Sequence, residues 1–267
     1  MAISLNTANV NPNLSGQQAT NNNLQQLASG SRINSAADDA AGAAIADRLT
    51  SKLGGFDAGI RNANDSISAI QVADGALASL NNNISRIQEL TLQAGNGALN
   101  SQDRQALQSE ADQLLEDSNR ILENTNFNGK SLLNNSDGLD VQLDEPGKTI
   151  ALSGADLAQS FKDLGFDEID LSSQESANTS LETLNSASEL VVARQSELGA
   201  VSNRIENAVD NLSSSKVNAA EARSRISDAD FAKVASDLAA SQVRDQAQIA
   251  VQAQANGQRS AVLQLLS

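Results

Sequence analysis

Leu184, Val191, Leu198, Ile205, Leu212, Ala219 and Ile226 recur at intervals of seven residues. A second set, Ala187, Val201, Ala208 and Ala222, lies three positions after members of the first, with Arg194 and Ser215 interrupting it. A seven-residue repeat held in phase over this length lays one apolar seam along a helix, and that seam needs a partner helix to cover it. Any fold of this chain must therefore contain a long coiled coil toward its C-terminal end.

The partner lies earlier. Ile60, Ala63, Ile67, Ile70, Ala73, Leu77, Leu80, Ile84, Ile87, Leu90 and Ala94 step by three or four residues, with one phase slip near Asp74. This spacing predicts a helix over 57–98, stopped by Gly95-Asn96-Gly97. Ser101 is placed to cap a third helix carrying Leu107, Ala111, Leu114, Ile121 and Thr125, with Asn128-Gly129 ending it. Three striped helices imply a mainly α fold, a long antiparallel coiled-coil bundle. Composition agrees, because Ala, Leu, Ile and Val supply the apolar share while Trp and Tyr are absent and Phe numbers five. Thick globular cores of this size usually rely on aromatic rings.

Residues 134–175 have a different period. Leu139, Val141 and Leu143 alternate with polar residues, as do Ile150 and Leu152, and Pro146-Gly147 between them suits a type II turn. A small β-hairpin is predicted, followed by short irregular structure around Phe161, Leu164 and Phe166.

The ends of the chain are nearly neutral. Residues 1–37 hold a single ionisable side chain, Arg32, and residues 228–267 sum to −1, so 38–227 carry the whole net charge of −15. Neutral ends suit burial among identical neighbours, where like charges would repel. Ile3, Leu5, Val10, Leu14, Leu24, Leu27 and Ile33 offer little apolar surface against the cost of ordering 1–33. Phe231, Val234, Leu238, Val243, Ile249, Leu263 and Leu266 leave 228–267 in the same position. Both segments are predicted to be disordered in the monomer and to pair as helices on assembly.

Several chemistries are closed to this chain. It has no His and no Cys, so no His-based triad, no Cys/His zinc site and no disulfide can form. The acidic balance disfavours nucleic acid and anionic membrane as partners. No stretch approaches the apolar length of a membrane span. Asp38 and Asp39 are the conspicuous carboxylates, but adjacent residues on a helix point about 100° apart and serve joint acid–base chemistry poorly. No catalytic, cofactor-binding or metal residue is assigned, and the chain is not expected to be an enzyme. Met1-Ala2-Ile3-Ser4-Leu5-Asn6-Thr7 lacks the basic start and apolar core of a Sec signal.

Specific motifs run through the chain. Ser29-Gly30-Ser31-Arg32-Ile33-Asn34-Ser35-Ala36-Ala37-Asp38-Asp39-Ala40-Ala41-Gly42 is followed by Arg61-Asn62-Ala63-Asn64-Asp65, Glu89-Leu90 and Thr125-Asn126-Phe127-Asn128-Gly129. Later come Leu198-Gly199-Ala200, Asn203-Arg204, Ser224-Arg225-Ile226, Asp228-Ala229-Asp230-Phe231-Ala232, Val262-Leu263 and Leu265-Leu266. In these motifs and their order the sequence resembles bacterial flagellin, in a short form without the large variable outer domains.

The resemblance implies a structural subunit that polymerises into the extracellular flagellar filament for motility. It implies secretion through the flagellar type III channel, a flagellar export chaperone at the C-terminal segment, and assembly beneath a filament cap. It also implies contact with hook–filament junction proteins. On this reading 1–43 and 228–267 are inner-tube segments with the spoke, 44–133 and 176–227 form the outer-tube bundle, and 134–175 is the remnant of the variable region. The assembly residues are Leu14, Leu24, Leu27, Phe231, Leu238, Ile249, Leu263 and Leu266. Toll-like flagellin receptors of vertebrates bind the outer-tube helices of this family, and the matching positions are Arg86, Glu89, Leu90, Gln93 and Glu110. Ser85 and Gln88 depart from that motif, and Arg86 has a second possible role, pairing with Glu110 across neighbouring helices. Gly257-Gln258-Arg259-Ser260 departs as well, standing where the family usually has a proline. Competing identities are a hook–filament junction protein and a secreted coiled-coil effector.

Overall fold

In the computed structural model, residues 12–143 and 149–266 are described, with the side chains of 12–15, 139 and 259–266 left out. The predicted turn at Pro146-Gly147 and the side chains of Leu14, Leu263 and Leu266 lie outside the described residues, as do Ile3, Leu5 and Val10. The chain divides into two compact units, 1–53 with 217–267, and 54–216. Two long helices, α2 (Ala40–Ala94) and α5 (Gln174–Ser227), contribute residues to each unit. Among the described residues no helix is long and apolar enough to cross a membrane.

The unit formed by 54–216 is an antiparallel helical bundle. Lys216 pairs with Asp57 at 2.6 Å, Ser188 donates to Asn81, and Gln88 donates to Asn185. Each step up α2 is thus matched by a step down α5. The helix α3 (Ser101–Asn124) returns along α2, with Asn83 donating to Ser118 and Arg86 to Glu110. Leu77, Leu80, Ile84, Ile87 and Leu90 of α2 meet Leu184, Val191, Leu198 and Ile205 of α5 in one continuous core. The two seams that define the sequence pattern are the two seams that pack.

Several boundaries differ from the sequence expectation. α2 starts at Ala40 rather than near residue 57, and Gly54-Gly55 lies inside it. Its other end stops at Ala94, where Arg104 of α3 donates to the carbonyls of Ala94 and Asn96. A cation on the last carbonyls suits the negative end of a helix. The cap of α3 is Asn100, not Ser101: its side chain accepts from the Asp103 amide while Asp103 accepts from the Asn100 amide. This is a reciprocal capping box. The buried stripe of α3 is Ala111, Leu115, Ser118 and Leu122, one residue on from the expected Leu114 and Ile121, which are half-buried at its edge.

Asn128-Gly129 does not end α3, which stops at Asn124. Instead it forms the turn of a hairpin between β1 (Asn126–Phe127) and β2 (Lys130–Ser131). Both turn residues have positive φ, 51° and 79°, as a type I′ turn requires. The second hairpin is as expected: β4 (Leu139–Gln142) pairs antiparallel with β5 (Thr149–Leu152), Val141 opposite Ile150. A short pair, β3 (Asn134–Asn135) with β6 (Ala155–Asp156), extends its root. The region around Phe161 is more regular than expected, with α4 (Leu157–Asp163) capped by Asp156. Phe161 and Phe166 meet edge to face at 4.8 Å and are both fully buried. Gly59 lets the end of β4 lie on α2, because a Cβ there would sit 1.4 Å from the Leu143 carbonyl oxygen. Asn62, one turn on, donates to the Gln142 carbonyl.

In the other unit, α1 (Pro12–Ser29) packs antiparallel on α6 (Phe231–Leu266). The terminal helices expected to pair with each other do so, with polar contacts beside the apolar ones: Thr20 donates to Asp245 at 3.2 Å, and Gly30 accepts from the Ala229 amide at 3.0 Å. α6 continues through Gly257 to Leu266, so the departure from a proline there leaves the helix unbroken.

Candidate assembly and recognition surfaces

Two of the motifs, Ser29–Gly42 and Ser224–Ala232, form one joint. Gly30 ends α1 in the left-handed region, φ 67°, its amide donating to the Gln26 carbonyl. The chain then crosses the end of α5. Arg32 donates its backbone N–H to the Ser227 carbonyl and its Nη2 to the Ile226 carbonyl, both at 2.6 Å. Ser31 Oγ also donates to the Ser227 carbonyl at 2.8 Å. The last carbonyls of α5 are thereby satisfied by a segment nearly two hundred residues earlier, and by a positive charge where the helix dipole favours one.

The acidic residues of the same motifs have structural partners. Asp38 accepts from the amides of Asn34 and Ser35 and from the Ser35 hydroxyl. The two amide bonds are the main reason its carboxyl is held below the usual carboxylate range. Asp39 accepts from the Gly42 amide at 2.8 Å, as the residue before the first turn of α2. Asp230 accepts from the amides of Ala232 and Lys233 and starts α6 in the same manner. These carboxylates cap and turn the backbone. Among the described residues no group of acidic side chains is arranged to hold a metal ion.

The terminal helices leave apolar surface uncovered. On α6, Val234, Leu238, Ser241 and Asp245 follow helical spacing, with Val234 and Ser241 buried and Leu238 half-buried. Phe231, Val243, Ile249 and Val251 remain 60–66% exposed. On α1, Leu24 is exposed and Leu27 half-buried. Isolated exposed apolar residues are ordinary, but four large ones on one mainly apolar helix mark an unpartnered surface.

On the bundle, Arg86 is held in a fork. Its Nε and Nη2 donate to Glu110 Oε1 at 3.0 and 2.7 Å, and its Nη1 donates to Glu89 Oε2 at 2.8 Å. Glu110 above all, then Glu89, pushes the Arg86 pKa up. All three side chains are about half exposed or more. Gln93 is exposed one turn further along α2. Leu90, expected on the same surface, is instead 2% exposed and belongs to the core. Its place in the three-and-four repeat of α2 carried that signal.

Comparison with known proteins agrees with this architecture. The family model described as the bacterial flagellin N-terminal helical region matches residues 3–137, and the C-terminal helical region matches 181–266. A flagellin of Halalkalibacterium halodurans is 36% identical over 94% of this chain and 92% of its own length. A flagellin of Bacillus subtilis is 33% identical, covering 94% of each. The flagellar filament 30.7 kDa core protein of Treponema maltophilum is 33% identical over 92% of this chain and 91% of its own. Among solved structures, Bacillus cereus flagellin superposes with a TM-score of 0.51 at 28% identity, over 57% of this chain and 88% of that one. A putative flagellar hook-associated protein from Vibrio parahaemolyticus superposes at 0.60 with 15% identity, over 72% of this chain and all of that one, a likeness of fold alone. With both terminal family models matched and relatives aligned nearly end to end, the chain belongs to the bacterial flagellin family.

Proposed function

We propose that this chain is a filament subunit whose paired terminal helices form the inner contacts of the polymer. The observation that carries the reading is the exposed apolar surface of α6, Phe231, Val243, Ile249 and Val251, on a helix already docked to α1. Leu14, Leu24, Leu27, Leu238, Leu263 and Leu266 complete the assembly set. Residues 1–43 and 228–267 line the inner tube, while 44–133 and 176–227 form the outer one and 134–175 the outer surface. The subunit leaves the cell through the flagellar type III channel, with an export chaperone covering the C-terminal segment, and adds beneath the filament cap. Hook–filament junction proteins meet its terminal helices at the base. Exposed Arg86, Glu89, Gln93 and Glu110 are the surface offered to a Toll-like receptor, and Leu90 supports them from below. The chain is a structural protein and not an enzyme.

Seeded polymerisation tests this. The intact chain and a form lacking 1–33 and 228–267 are each added to short filament fragments and imaged by electron microscopy. Tubular extension by the intact chain alone is expected. Extension by both would remove the terminal helices from assembly.

A further inference from the structure

Arg194 occupies a heptad position that its neighbours Ala187 and Val201 fill with apolar side chains. Its side chain is only 5% exposed. Two of its three donor nitrogens are used: Nη1 donates to Glu197 Oε2 at 2.7 Å, and Nη2 to the Ser153 carbonyl at 2.9 Å. The buried Nε–H has no partner among the described residues. Such a donor is costly to leave unmet, and buried polar groups are as a rule satisfied by protein or by water.

A cavity of about 20 Å³ lies against this side chain, lined among others by Ser131, Asn135, Gly138, Ser153, Gly154 and Arg194. A cavity of roughly 10–15 Å³ or more holds one water where polar groups face it. The lining mixes hydroxyl, amide and backbone groups with Leu132 and Leu152. Glu197 already balances the guanidinium charge, so a neutral acceptor suits the remaining N–H better than a second anion.

We propose that this cavity is a binding site for a single ordered water, which accepts from Arg194 Nε–H. Arg194 and this water anchor the root of the β4–β5 hairpin to α5. The position explains why the heptad is broken there: the helix gives up one apolar core residue to grip the only long hairpin among the described residues, through the Ser153 carbonyl at its base. Gly138 and Gly154 bring the two strands' ends together above it, since a Cβ on Gly154 would lie 2.1 Å from the Ser136 carbonyl oxygen.

The test uses full-length monomer labelled with nitrogen-15 in arginine. A dipolar cross-peak between water and the Arg194 Nε–H, with the sign of a long-lived complex, is expected in the native chain and needs no variant. Its absence, or a shift of that resonance when chloride is exchanged for gluconate, overturns the water assignment, the latter in favour of a halide. Separately, Arg194→Met should speed amide exchange at Ile150 and Leu152 at least tenfold. Arg194→Lys, which keeps a donor in reach of Ser153, should lose less. Unchanged exchange in a folded Arg194→Met chain overturns the anchor, and if that variant does not fold, the same comparison is read on Arg194→Lys against native, where no change overturns it.

Discussion

The guanidinium of Arg32 donates to the carbonyl of Ile226 at 2.6 Å, joining the first turn after α1 to the last turn of α5. This contact turns two family motifs into one mechanical part. Arg32→Gln should remove the charge from the end of α5 and the hydrogen bond to Ile226. A loss of about 1 kcal/mol in monomer stability is predicted, together with faster amide exchange near Asp228 and Ala229. Denaturant titration and exchange mass spectrometry read both. Unchanged protection at 226–230 would show that the backbone pairing alone makes the joint.

Gly59→Ala should be far more damaging than its size suggests. The new Cβ would fall 1.4 Å from the Leu143 carbonyl oxygen, and backbone on each side must move. A cost of about 1–3 kcal/mol is predicted by analogy with overpacked cores. Protection of the β4 amides should fall while the heptad region of α5 keeps its helicity.

The Arg86 fork separates recognition from stability. Because its three side chains are well exposed, Arg86→Ala should leave the thermal midpoint almost unmoved. It should strongly reduce signalling in a Toll-like receptor reporter assay. Leu90→Ala should do the reverse in origin: a cavity costing about 2–5 kcal/mol, with any signalling loss following the loss of fold. Equal signalling by native and Arg86→Ala protein would remove Arg86 from the receptor surface.

Acid should loosen the turn before α2. The Asp38 carboxyl is depressed by the Asn34 and Ser35 amides, so its contribution is complete above the unfolded value of ~3.9. It is lost as pH falls through the lower folded value. Amide resonances of Asn34 and Ser35 should therefore titrate together at a pH below ~3.9. In Asp38→Asn they should not titrate with position 38 at all.

Much of the bundle was legible because its signal is periodic. Leu184, Val191 and Leu198 hold one phase, and so do Leu77, Leu80, Ile84 and Ile87; burial followed that phase. α3 was less clear, since Leu114-Leu115 and Ile121-Leu122 are adjacent apolar pairs and either member can face inward. β1 and β2 are only two residues each, too short for alternation to show, so Asn128-Gly129 was read as a helix end. The joint at Arg32 was invisible for another reason. It is a pairing of backbone carbonyls with a segment far away in sequence, and no local pattern encodes it. Arg194 did show itself, as a break in the repeat, and Glu197 stands at i+3 on the same helix, but its bond to the Ser153 carbonyl emerges only from the fold.

In the proposed function, the uncovered side of α6 is an interface between subunits. The most direct test is Ile249→Asp, placed on a side chain 60% exposed in the single chain. Circular dichroism of the monomer should match the native chain, while seeded elongation followed by light scattering should stop. Native elongation by this variant, at unchanged critical concentration, would contradict the assignment of that surface.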